Sequence, residues 1–129
     1  MKIGVVGSRG LIINDMDKFI PSGCTEIISG GAVGVDKCAA DYARKNNIKL
    51  TEILPDYKSY GRGAPLVRNK AIVERADMII AFWDGRSRGT AFVINYANKI
   101  NKPCKIISQG AVTFDENEKI RKGYKESLF

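Results

Sequence analysis

Three stretches have the composition and spacing to do chemistry: Gly7-Ser8-Arg9-Gly10, Ser29-Gly30-Gly31-Ala32-Val33-Gly34-Val35-Asp36 and Gly85-Arg86-Ser87-Arg88-Gly89-Thr90. Each follows an apolar run and, in the second and third, a helical pattern leaves the turn. Glycine tolerates the backbone angles such turns need and lets a ligand approach the main chain. A helix N-terminus then offers unpaired N–H groups and partial positive charge to an anion. The expected ligand group is a phosphate, held by Gly30, Gly31, Gly34, Gly89 and Thr90, with Ser8, Arg9 and Arg68 completing its shell and Gly7 and Ser87 as further ligand-binding residues. Arg9 can clamp a phosphate or carboxylate in bidentate fashion. Arg68-Asn69 falls in the first turns of a later helix and is expected at the same place. Asp36 suits a ribose hydroxyl or its own helix N-terminus, and Asp84 suits the ligand or a helix cap. Arg86 and Arg88 read equally as ligand contacts and as solubilising charges. Trp83, Tyr57 and Tyr60 offer faces on which a base could stack, although Trp83 suits core packing slightly better.

The chain excludes several other chemistries. It contains no histidine, so neither a Ser-His-Asp nor a Cys-His triad is available, and no His-based metal site. No metal and no cofactor is expected. Cys24, Cys38 and Cys104 are odd in number and far apart, which predicts reduced thiols in the cytoplasm rather than a disulfide framework. The longest apolar run, 78–83, is far short of the about 20 residues a membrane span requires. Met1-Lys2 leads straight into an apolar run, which predicts no signal peptide and no membrane partner. The net charge of +7 lies in the first 110 residues, which hold 17 basic against 10 acidic side chains. Such an excess predicts an anionic partner, a small phosphate or a nucleic acid.

The elements that must position these turns alternate along the chain. Strands are expected at 3–6, 25–29, 48–54, 78–83 and 105–108. A short helix is expected at 15–20 behind Asn14, and longer ones at 33–46, at 65–75 with Pro65 in its first turn, and at 90–100. The segment 56–64 reads as a Tyr- and Gly-rich loop, and the polar tail 110–129 as a short helix around 117–124 at most. Five strands separated by helices predict a Rossmann-like doubly wound parallel α/β sheet with helices on both faces, forming one domain over 1–109. Ligands of such sheets bind beyond the carboxyl ends of the strands, where the strand order reverses. Phe92, Val93 and Tyr96 on the last long helix are expected to point outward and form a homodimer face.

The motifs Gly7-Ser8-Arg9, Gly30-Gly31-Ala32-x-Gly34-x-Asp36, Arg68-Asn69 and Gly85-x-Ser87-x-Gly89-Thr90 together resemble the SLOG superfamily over roughly residues 1–109. That superfamily joins the DNA-processing protein A domain to the Lonely Guy phosphoribohydrolases, and the pattern looks most like its small stand-alone YpsA-related bacterial branch. The resemblance implies a Rossmann-like domain that binds a nucleotide or nucleotide-derived ligand, as a sensor module. A second implication is cleavage of the N-glycosidic bond of a nucleoside 5′-monophosphate. Arg68 would then orient the phosphate-ribose. The glutamate of the hydrolase motif falls on Val93, which leaves Asp84 or Asp36 as the carboxylate. A third, from the DNA-processing side, is single-stranded nucleic-acid binding on the basic face.

Overall fold

A computed structural model describes residues 1–108. The tail 110–129 and its expected helix lie outside the described residues, as does the boundary at 109. The elements are β1 Lys2–Gly7, a 3-10 turn Met16–Lys18, β2 Glu26–Ser29, α1 Val35–Lys45 and β3 Lys49–Glu52. There follow α2 Tyr57–Tyr60, a 3-10 turn Gly61–Gly63, α3 Ala64–Arg75, β4 Met78–Trp83, α4 Arg88–Lys99 and β5 Cys104–Ser108. The five strands form one parallel sheet in the order β3-β2-β1-β4-β5. This is the expected doubly wound architecture.

Strand alternation divides the core into two layers. Ile3 and Val5 of β1, Ile27 of β2 and Ile80 and Phe82 of β4 face one side, where they bury against Val35, Ala39 and Ala43 of α1. Val6, Ile28, Ile79 and Ala81 face the other, against Ile72 and Val73 of α3 and Val93 and Ala97 of α4. The faces swap because the winding direction does. Right-handed crossovers run from β1 through β2 to β3. The chain then passes back over β1 to β4, so α3 and α4 land on the face opposite α1. Ser8 N donates to the Phe82 carbonyl at 3.1 Å, closing the β1–β4 seam at the reversal.

The central elements match expectation and the peripheral ones correct it. Residues 15–20 form only a 3-10 turn, in which Lys18 N donates to Asp15 O and Phe19 N to Met16 O. Asp15 rather than Asn14 precedes that turn, which ends in a single α-type bond, Ile20 N to Met16 O at 3.2 Å, before Pro21 stops it. The segment 56–64 is not a loop throughout. Asp56 accepts from Ser59 N at 3.1 Å and starts α2, a single turn too short to show helical periodicity. The last long helix begins at Arg88 rather than Thr90, because Ser87 caps it. Val93 does not form an outward face. It is 1% exposed and packs in the core, while Phe92 and Tyr96 are half-buried beside it with their rings stacked 6.2 Å apart. No helix among the described residues is long and apolar enough to cross a membrane.

Candidate functional site

The loops that leave β1, β2 and β4 converge with the first turns of α3 on a cleft of about 460 Å³ at the carboxyl edge of the sheet. It sits where the strand order reverses between β1 and β4. Of the residues singled out by sequence, Gly7, Ser8, Arg9, Gly30, Asp36, Arg68, Asn69, Asp84, Ser87, Gly89 and Thr90 all line it. Gly31 and Gly34 do not, and both need correction. Gly31 has φ +72° and its missing Cβ would lie 2.6 Å from Leu54 Cδ2, so it is a turn residue packed against the β3 exit. Gly34 has φ +74° and its missing Cβ would run into the Arg9 carbonyl oxygen. It is glycine because the first two loops touch there, and no room is left for a ligand at that point. Arg86 and Arg88 are exposed beyond the lining.

Most of the polar groups in the cleft already hold one another. Arg68 comes off the second turn of α3, and its Nη1 donates to the carbonyls of Gly30 (2.8 Å) and Ile53 (3.5 Å). Its Nε donates to Asn69 Oδ1 at 2.8 Å. The guanidinium thereby fixes the β2 exit loop to α3. Asp36, in the first turn of α1, is buried, and its Oδ2 accepts from Ala32 N at 3.1 Å. Burial raises its carboxyl above the ordinary carboxylate range, against the opposing pull of the Ala32 N–H and the Arg68 guanidinium.

The β4 exit is organised around Asp84 and Ser87. Asp84 Oδ1 accepts from Arg86 N and Ser87 N, both at 2.8 Å, and these N–H groups hold its carboxyl below the ordinary range. Asp84 N in turn donates to Ser8 Oγ at 3.2 Å. Ser87 Oγ accepts from Thr90 N at 3.3 Å and meets Thr90 Oγ1 at 3.2 Å. Trp83 Nε1 donates to the Ser87 carbonyl at 3.0 Å, which fixes the indole against the core rather than presenting it to a ligand.

Three features of the lining remain open. Gly89, the second residue of α4, has nothing nearer its missing Cβ than Asn69 Nδ2 at 3.9 Å. Gly10 has nothing within 4 Å. The Arg9 side chain is exposed and in no ion pair among the described residues. Gly10 and Pro65 also line the cleft and were missed as site residues, and so does Val93, which the sequence reached only through the resemblance, as the position of the hydrolase glutamate. Gly10 was legible as the last glycine of its turn. Val93 was not, because a single apolar position in a helix does not say which wall it faces. Among the described residues no cluster of three or more Cys, Asp or Glu could hold a metal.

No family model matches this chain, and no curated protein matches it. Among solved structures, DNA processing protein A from Helicobacter pylori, described for its single-stranded DNA binding mode, is similar with a TM-score of 0.68. The match covers 95% of this chain and 72% of that one at 20% sequence identity. At that identity the likeness is one of fold, and it agrees with the Rossmann-like sheet described above.

Proposed function

We propose that the cleft binds the phosphate of a nucleotide or nucleotide-derived ligand. The observation that carries this is the open N-terminal turn of α4. The first intrahelical bond there is Ala91 N to Ser87 O, so the Arg88 and Gly89 N–H groups have no acceptor within the helix. Gly89 leaves the approach to them clear. Arg9 and Gly10 line the same cleft, and the exposed Arg9 guanidinium offers a second contact to the phosphate. Arg68 shapes the site, its Nη1 being committed to backbone carbonyls and its Nε to Asn69 Oδ1. Asp36 supplies a buried carboxyl suited to a ribose hydroxyl.

Turnover is not part of this proposal. Val93 occupies the place of the hydrolase glutamate and forms an apolar stretch of the cleft wall. Asp84 is held ionised by two backbone N–H groups, which does not suit a general acid at neutral pH.

A second reading, in which the nucleotide belongs to a single strand of nucleic acid, is favoured by the single-stranded DNA binding of the structural neighbour and by the basic excess of this chain. A thermal-shift panel of nucleoside mono-, di- and triphosphates, ADP-ribose, cyclic nucleotides and a single-stranded oligonucleotide tests both. At 1,000-fold excess over its dissociation constant a bound nucleotide adds about 4 kcal/mol of stability, a rise of many degrees. A rise with the oligonucleotide alone favours the second reading. No rise with any of them contradicts both.

A further inference from the structure

We propose that Tyr57 and Tyr60 form a base-stacking platform beside the cleft, for a single strand of nucleic acid whose backbone passes the cleft mouth. This rests on the second reading above. The two tyrosines lie three apart on α2, which places them on the same side of that turn. They are 59% and 53% exposed, and neither side chain makes a hydrogen bond or ring contact with another described residue. Nothing in the fold requires aromatic rings there. Most of the exposed large apolar residues lie on this same edge of the sheet: Val33, Leu54, Tyr57, Tyr60, Leu66 and Val67. Such concentration marks a contact surface. The chain connects it to the cleft directly, because Gly61–Gly63 leads from Tyr60 into Ala64 and the cleft residue Pro65.

Charge decides what kind of surface it is. Lys58 and Arg62 flank the tyrosines, and Arg9, Arg86 and Arg88 leave the neighbouring loops at the same edge. None of the five is in an ion pair among the described residues. The acids nearby number four against these five cations, and three of the four are hydrogen-bonded or buried. Asp56 caps Ser59, Asp84 accepts two N–H groups and Asp36 is buried, leaving Glu52 exposed at the end of β3. Unpaired cations interleaved with exposed ring faces suit a phosphate backbone carrying unpaired bases. A purely apolar protein partner would leave those cations desolvated and unmatched.

The test is fluorescence anisotropy of a labelled oligothymidylate of about 15 nucleotides. It compares the wild-type chain with Tyr57→Ala, Tyr60→Ala, the double variant and the two Tyr→Phe variants. Each alanine should weaken binding about fivefold or more, and each phenylalanine should retain it, because stacking uses the ring and not the hydroxyl. Melting curves without ligand should be unchanged, both side chains being exposed. Stabilisation by ribose 5-phosphate, which has no base, reports the cleft separately. Alanine variants that bind like wild type overturn the platform, and so do phenylalanine variants as weak as alanine. Wild-type chain that binds ribose 5-phosphate but not the oligonucleotide overturns the platform and leaves the cleft proposal standing. Absence of both interactions removes both.

Discussion

The Arg68 guanidinium lies directly over Gly30: Nη1 donates to the Gly30 carbonyl at 2.8 Å and stands 2.5 Å from where a Cβ on Gly30 would be. The glycine and the arginine are therefore one structural unit. Gly30→Ala should displace the guanidinium and destabilise the fold by about 1–3 kcal/mol. Arg68→Ala should cost about 1.5–3 kcal/mol through lost charged hydrogen bonds. With Arg68 already removed, the methyl at position 30 meets much less, so the double variant should cost at least about 0.5 kcal/mol less than the sum. Urea denaturation of the four chains measures this, and strict additivity would separate the two residues. Arg68→Lys should not rescue, because one ammonium cannot serve the carbonyls and Asn69 together.

Gly34→Ala should be more damaging than its exposure suggests. A side chain there is strained at φ +74° and is driven into the Arg9 carbonyl, with a cost of at least about 1–3 kcal/mol from backbone strain alone. The same measurement checks it. A neutral result would mean that the loops after β1 and β2 can separate freely.

These positions show where the sequence was readable. Met78–Trp83 is apolar on both faces, and β4 has those bounds. Pro65 announced the start of α3 because its missing N–H costs nothing in a first turn. The convergence of three Gly-rich turns at one sheet edge followed from alternation and handedness. What fills the space beside each glycine did not, being a tertiary fact. Val35 occupies it at Gly7, Arg68 at Gly30 and the Arg9 carbonyl at Gly34, while it stays open at Gly10 and Gly89. All five look alike in the sequence. Val93 was misplaced for a similar reason, since α4 is packed along the sheet on a wider apolar face than its flanking aromatics suggest.

Asp36 should make stability fall as pH rises. Its carboxyl is raised by burial, so the unfolded chain gives up the proton first, and folding then carries the cost of a desolvated charge. That cost is absent below the ordinary carboxylate range and grows from about pH 4 upward until the folded group also ionises. Asp36→Asn keeps an acceptor for Ala32 N without the charge. Its melting temperature should match or exceed that of wild type at about pH 7, with the difference shrinking toward about pH 4. An Asn variant that is less stable at neutral pH than in acid, relative to wild type, would reverse the sign and refute this account of the site.

Ser87→Ala should loosen the front of α4. Its hydroxyl accepts from Thr90 N, and loss of such a cap costs about 1 kcal/mol, several degrees in melting temperature. Ser87→Asp should restore stability, since Asp caps equally well, but should weaken any phosphate bound at that turn by like-charge repulsion. Parallel melting and nucleotide-binding curves for the two variants check this split. Equal binding by wild type and Ser87→Asp would place the phosphate elsewhere.

The most direct test of the central claim is Gly89→Val, titrated calorimetrically beside wild type with each of the nucleoside 5′-monophosphates. Valine is a better helix residue than glycine, and outside the helix's own backbone and its chain neighbours nothing lies nearer its Cβ than Asn69 Nδ2 at 3.9 Å, so the variant should melt at or above the wild-type temperature. Its branches fill the space in front of the α4 N–H groups. The account predicts that wild type binds a mononucleotide and that the folded variant binds it at least about tenfold more weakly, a loss of about 1.4 kcal/mol. A folded Gly89→Val that binds with wild-type affinity would contradict it.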